Sequence, residues 1–396
     1  MNKKDIAGIR KQFKLHNDLL TIHDIFHVYI TKDSSDIYHQ QITSFELLED
    51  EQKELFMTNF KKVLSGQLDQ KLFELKFRRD DEDDSPFILH QGLTCGNREE
   101  WTEQMLKVVE KMLADKQYEM DLVVTFIRGE YLQSMKPIGE DESSRDTVQA
   151  HPFILCSVNQ TEEPKKELLF DYIGKEFKYN VMVDPIINLK KPVAGFLYPT
   201  IQDQAQDVNH VLYSAGKEND LNEHFIENVL QAEDIVTAEE DKFVFEEVVK
   251  DVAGDQMNTA TLSSVYDEIQ QLVEAHEEND EPVSKLDTKD VESVLTNSGI
   301  QDVSTEKIES TVKDMTDDET YEFKTQNIVP KYTSKSIKIE TKAADLKVSP
   351  QNLKYIRQVN LNGKLCLVLE LDENAVIDGF EMIPEVLYEK ADDEDE

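Results

Sequence analysis

DLVVTFI (residues 121–127), PFILCSV (152–158) and VAGFLYP (193–199) are apolar at almost every position and have the length of β-strands. Whatever this chain folds into must bury them. The last run stops at Pro199, which cannot donate to a ladder and holds the residue before it extended. Other elements alternate with these runs. DIFHVYI and DIYHQQI read as two strands around the turn KDSSD, and LFELKF (72–77) alternates like a half-buried strand. FILHQGL (87–93) is a further strand candidate. Ile6, Ile9 and Phe13 mark a short amphipathic helix, and Thr43 with Glu46 makes a capping box for a helix that carries Leu48, Leu55, Phe56, Phe60 and Val63 and stops at Gly66. Trp101, Met105, Val108 and Met112 form one stripe of a helix begun near Asn97. Together these elements predict an α+β (mixed) chain whose residues 1–231 form a mixed α/β domain.

Composition then shifts. Between Gly216 and Thr320 there are 30 Asp and Glu against 7 Lys and no Arg. Helix starts recur at Asp220 with Glu223, at Thr237 with Glu240, and at Thr288 and Ser304. The stripe Leu262, Val265, Ile269, Leu272 has the spacing of a helix packed on a neighbour. Residues 232–320 are therefore expected to be an acidic helical section, its acids mostly a solvated face. Residues 321–387 are expected to be a small β module, because Asn362-Gly363 separates two apolar runs and both positions of a type I′ turn need positive φ. Residues 388–396 read as a disordered acidic tail.

The whole chain holds 82 Asp plus Glu against 43 Lys plus Arg, a net charge of −39. Such a surface repels nucleic-acid backbones and anionic lipid. Nucleic acid is disfavoured as a partner despite Lys3, Lys4, Arg10, Lys11 and Lys14 in the first helix, and a basic protein partner is the expected complement. No run approaches the ~18 apolar residues of a membrane span, and the N-terminus lacks the apolar core of a signal peptide. Cys95, Cys156 and Cys366 are odd in number and far apart, which gives neither a disulfide framework nor a metal knuckle. Cys156 and Cys366 read as buried apolar residues, and Cys95, beside Gly96, has a weak argument for reactivity. These features together predict a cytoplasmic protein without a membrane partner.

Motifs that carry chemistry are sparse. HDIFH places His23 and His27 four apart, but the flanking Ile, Phe, Val and Tyr favour a strand, where the two rings stand ~13 Å apart rather than on one helix turn. RRDDEDD lacks the spacing of a calcium loop and reads as a solvated segment. Walker A, GxGxxG, GxSxG and paired CxxC are missing from the sequence, and no cofactor is expected. In GFLYPTIQDQAQDVNHVLY, Asp207 stands where a helix could begin and cap itself, with Val208, Val211 and Leu212 facing inward. If Asp203 already lay in that helix, Asp203, Asp207 and His210 would share one face as a metal or acid/base site.

MNKKDIAGIRKQFK, KKVLSG, HPFILCSV, GFLYP, DVNHVLYSAGKENDLNEHFIENVL and VSPQNLKYIRQVNLNGKLCLVLEL follow one another in an order and spacing that resembles a family of uncharacterised proteins from Gram-positive bacteria, domain of unknown function 4317. The resemblance spans nearly the whole chain and implies a cytosolic bacterial protein with no assigned activity, cofactor or catalytic residue. The expected function is a non-catalytic binding or interaction protein with an acidic helical surface. The alternative is a metal-assisted hydrolase with its site near Asp203, Asp207 and His210.

Overall fold

The computed structural model describes residues 1–32, 34–78, 84–134, 148–163, 166–181, 184–202, 205–278, 285–316, 318, 321–329, 336–361, 363–377 and 380–383. It is a mixed α+β fold, and its contacts separate two compact units, Met1–Thr237 and Ala238–Glu396.

The first unit runs α1 (Lys3–Gln12), β1 (Leu20–Ile30), β2 (Ile37–Ser44), α2 (Asp50–Val63), β3 (Leu72–Lys76), α3 (Ser85–Thr94), α4 (Arg98–Leu113), β4 (Leu122–Ser134) and β5 (Val148–Glu162). After the hairpin β6 (Lys166–Asp171) and β7 (Glu176–Val181) come β8 (Ile186–Ile187), β9 (Ala194–Tyr198), β10 (Thr200–Gln202), β11 (Ala205–Asp207), β12 (His210–Ala215) and a π-helical turn, Phe225–Leu230. The main sheet is antiparallel in the order β2-β1-β4-β5-β9-β12-β3, with β8 paired to the end of β5. The long central pair β4/β5 keeps one register from Leu122↔Gln160 to Ser134↔Val148.

Both faces are covered at the centre of this sheet, which explains why β4, β5, β9 and β12 carry consecutive apolar residues rather than alternating, whereas the edge strand β2 is largely exposed. On one face Ile127, Phe153, Leu155, Leu197 and Leu212 pack beneath Ile6 and Ile9 of α1 and Met57 and Phe60 of α2. On the other, Phe126, Ile154, Cys156, Phe196 and Tyr213 pack beneath α3, α4 and the π-helical turn, with Trp101 and Met105 fully buried. Asp24, at a bulge in β1, ties the second helix layer to the sheet. Its buried carboxylate accepts from Arg98 of α4 at 2.6 Å and from Arg128 of β4 at 2.8 Å, and the Arg128 guanidinium lies over the Trp101 ring.

Several local expectations change. FILHQGL is helical, as the core of α3: Pro86 occupies the first turn, where its missing N–H costs nothing, and Ile88, Leu89 and Gly92 turn inward. A Cβ on Gly92 would sit 2.8 Å from Met105 Cε, so the methionine tip would have to shift to admit a side chain there. Thr43 lies in β2 opposite Ile25, and the box that starts α2 is Glu49 with Gln52. β3 is covered on both faces, with Leu72, Phe73 and Leu75 all buried.

The second unit is built on α5 (Ala238–Ala253), α6 (Thr259–Glu278), α7 (Thr288–Asn297) and α8 (Thr305–Thr316). The expected stripe of α6 turns inward, Val265 and Ile269 being fully buried. The cap of α7 is Asp287, which accepts from Asp290 N, rather than Thr288. Phe323, Ile328 and Val329 join the same core, although they lie beyond the boundary expected at residue 320. Buried Asp241 holds them there, accepting from Tyr321 Oη, Lys324 N and Asn327 Nδ2. Further along the chain, strands pair as separate two-stranded hairpins: Ile337–Glu340 with Asp345–Val348, Ile356–Leu361 with Lys364–Leu369, and Val376–Ile377 with Phe380–Glu381. At the Asn362-Gly363 turn, Asn362 is outside the described residues and Gly363 takes φ +81°. Cys366 is half-exposed on this hairpin rather than buried. The expected acidic tail and most of RRDDEDD lie outside the described residues.

His27 gives the first unit an acid-sensitive stability. Its ring lies against Phe56 and its Nδ1 contacts Thr125 Oγ1 at 3.0 Å, and burial lowers its pKa from 6.5 to about 4. The unfolded chain therefore binds this proton more readily than the folded one. The resulting stability is complete above the unfolded value and is lost as pH falls from there towards the folded value. Urea unfolding at about pH 7 and about pH 4.5 should show a contribution of roughly 2 kcal/mol from this ring alone. A His27→Phe variant should lose stability by that much less over the same interval; an unchanged slope would contradict the assignment.

Candidate functional site

The residues singled out in the sequence come together only in part. Asp203 is outside the described residues. Asp207 ends β11, paired across the hairpin to Thr200, and His210 begins β12. No helix starts at Asp207: β12 pairs with β3 on one side and β9 on the other, and its consecutive residues Val211, Leu212 and Tyr213 are all buried by the layers covering the sheet. The turn itself brings the two side chains together. Asp207 Oδ1 accepts from Asn209 N at 2.9 Å, and Oδ2 lies 2.7 Å from His210 Nδ1. Desolvation raises the Asp207 pKa, but the Asn209 amide and the His210 ring outweigh it and the net shift is downward. Both oxygens thus serve to close the turn. Among the described residues, no group of three His, Cys, Asp or Glu side chains is placed to hold a metal ion.

His23 and His27 lie on β1, as a strand reading requires, with His23 outward near Glu130 and His27 inward. Cys156 is fully buried, and burial pushes its thiol pKa well up. Cys95 Sγ sits 3.9 Å from Arg128 Nη1, yet desolvation outweighs the guanidinium and its pKa is raised too.

The sheet's topology builds a different site. β5 and β12 finish, and β3 and β9 begin, at the same end of the sheet, because each pair of neighbours is antiparallel. A cleft of about 990 Å³ opens there, within the first unit. Six lysines line it: Lys62 at the end of α2, Lys71 before β3, Lys116 after α4, Lys190 and Lys191 before β9, and Lys217 after β12. Asp220 and Glu223 are the acids on its wall, and Gln160, Asn188 and Asn222 contribute amides. Lys217 reaches Asp220 at 3.9 Å, whereas the other five lysines have no ion-pair partner among the described residues. Residues 1–237 carry 27 Lys plus Arg against 43 Asp plus Glu, so a scatter of side chains at random would give this cleft the opposite sign.

Backbone bonds hold the rim. Ala215 N donates to Lys71 O at 2.9 Å, Asn219 N to Gln70 O at 2.7 Å, and Asn188 N to Gln160 O at 2.9 Å. Gly216 stands against Val193, where a Cβ would lie 2.7 Å from the carbonyl oxygen, so the two segments approach this closely only with glycine. Beneath the loop that carries Lys190 and Lys191 lies a buried amide cluster. Asn59 Nδ2 of α2 donates to Leu189 O at 2.8 Å, Asn159 Nδ2 of β5 donates to Asn188 O at 2.9 Å, and Ser157 Oγ donates to Asn159 Oδ1 at 2.9 Å. Asn59, Ser157 and Asn159 are all fully buried. They occupy the face that Phe153 and Leu155 fill with carbon lower on the same strand, so polar atoms replace apolar ones where the loop needs partners.

The charge shows in Lys71. Desolvation lowers its pKa first, and the Lys62 ammonium adds to the shift, against an opposing pull from Glu218. Crowded ammonium groups raise one another's cost, and an anion placed among them removes that cost. Sequence inspection missed this site because its lysines are scattered over more than 150 positions and follow no motif; the signal they share is that each stands at the end of an element.

Residues 1–380 match the family described as Domain of unknown function (DUF4317). The chain belongs to that family. No curated protein matches it. Among the described residues no helix is long and apolar enough to cross a membrane. The DUF4317 description assigns no role to any residue, so the site rests on the geometry of this chain.

Asn159 tests how the cleft is held. An Asn159→Ala variant leaves Ser157, Asn59 and the Asn188 carbonyl short of partners in a buried setting and should cost about 2 kcal/mol in chemical denaturation. Amide hydrogen exchange should quicken in residues 188–193 more than in β1 or β4. Uniform protection with no local change would contradict the pinning role.

Proposed function

We propose that this member of DUF4317 is a non-catalytic, cytoplasmic binding protein whose ligand is an anion held in the lysine cleft of its first unit. The observation that carries the proposal is the convergence of six lysines, five of which form no ion pair among the described residues, on one concavity of a unit with excess negative charge. Unpaired ammonium groups brought together by separate elements repel one another, so holding them there favours the state in which an anion lies between them. The cleft also falls at the upper end of the volumes usual for small-molecule sites. A hydrolase centred on Asp203, Asp207 and His210 has weaker support, because the turn already engages both Asp207 oxygens.

Inorganic pyrophosphate is a direct probe. At low ionic strength it should stabilise the protein against urea, by about 2.7 kcal/mol once its concentration reaches a hundred times its Kd. Added sodium chloride should weaken the effect, because the cleft is open to solvent. A Lys71→Ala/Lys190→Ala variant should fold normally and respond far less. A wild-type protein whose unfolding is indifferent to pyrophosphate would defeat the proposal.

A further inference from the structure

We infer that the ligand of the lysine cleft is a compact polyol carrying two phosphate esters, an inference that rests on the anion-binding reading above and narrows it. Three features of the wall lead there.

Charge balance sets the number of phosphates. Six lysines against Asp220 and Glu223 leave a formal excess of four positive charges, and a phosphate monoester carries about −1.5 to −2 at neutral pH. Two such groups, together about −3 to −4, neutralise most or all of the excess, and one leaves half of it or more uncompensated.

The donor types set the mode of recognition. Among the described lining residues the permanent cations are all lysines, with no arginine. Lysine meets phosphate as a mobile point charge rather than through a fixed planar fork. Such a wall accepts two phosphates at a range of spacings instead of gripping one in a single orientation. Between the lysines, the amides of Gln160, Asn188 and Asn222 offer both donors and acceptors, which suits hydroxyl groups that both give and take hydrogen bonds.

The missing platform sets what the ligand lacks. Among the described residues no Phe, Tyr or Trp lines the cleft and His224, its Nε2 3.4 Å from Met112 O, is the aromatic ring on its wall, so a nucleobase would find none of the large aromatic faces that stack bases in sites for nucleotides and single strands. Long polyanions are opposed further by the charge outside the cleft, since the chain as a whole carries −39.

Calorimetry on the full chain at low ionic strength tests the inference with fructose 1,6-bisphosphate, glucose 6-phosphate, adenosine 3′,5′-bisphosphate and inorganic pyrophosphate. The sugar bisphosphate should bind at least tenfold more tightly than the monophosphate, and the adenosine compound, with the same two phosphates plus a base, no more tightly than the sugar. A Lys190→Ala/Lys191→Ala variant, altered only at exposed side chains, should keep its melting temperature and bind the sugar bisphosphate at least tenfold more weakly. A preference below tenfold for two phosphates, or tighter binding of the adenosine compound, overturns this inference; if pyrophosphate still binds, the anion-binding reading survives. Failure of all four anions to bind overturns both.

Discussion

The hydrogen bonds made by three buried polar side chains, Asn59, Ser157 and Asn159, decide the shape of the first unit's open end. β5 enters the core as an apolar strand, with Phe153 and Leu155 beneath α1 and α2. Two and four residues past Leu155 the same face presents the Ser157 hydroxyl and the Asn159 amide; Asn159 takes the carbonyl of Asn188, and Asn59 of α2 takes that of Leu189. A buried polar group without a partner costs more than the bond it forgoes is worth in water. The loop 188–191 is therefore fixed by the strand and helix below it, and with it the positions of Lys190 and Lys191. Without that cluster these lysines would be two more cations on a mobile surface.

The first unit sets two charge arrangements side by side. Buried Asp24 receives two arginines, so that its charge is met within the fold. At the cleft five of the lysines form no ion pair among the described residues, and burial, with the Lys62 ammonium adding to it, lowers the pKa of Lys71. In the second unit the acids take a third course. Asp241 is buried and satisfied by three donors, whereas Glu239, Asp251, Asp290, Glu306, Glu309 and Asp314 stand exposed on the outer faces of α5, α7 and α8. Asp251 meets Lys307 at 3.4 Å, and hydration rather than ion pairing accommodates the rest.

Much of the framework was legible because burial imposes a pattern on the sequence. The runs at 121–127, 152–158 and 193–199 are the sheet's central strands, and Asn97 caps α4 through the amide of Glu100. Where an apolar run was too short or too uniform to show a period, local reasoning failed: residues 87–93 are helix and residues 211–213 are strand, and only the layers above and below them decide which. The site was less legible still. Lys62, Lys71, Lys116, Lys190, Lys191 and Lys217 are adjacent only because antiparallel neighbours start and stop at the same end of a sheet. Pairing order is a property of the whole fold, and no spacing in the chain reports it.

The central claim is that the cleft crowds its ammonium groups until an anion relieves them. Titrating the Lys71 side chain by isotope-edited NMR, with and without inorganic phosphate, tests this most directly. In the free protein the pKa of Lys71 should lie below the ordinary value for a lysine, and it should move upward when phosphate is present. A Lys71 that titrates like any exposed lysine and ignores the added anion would contradict it.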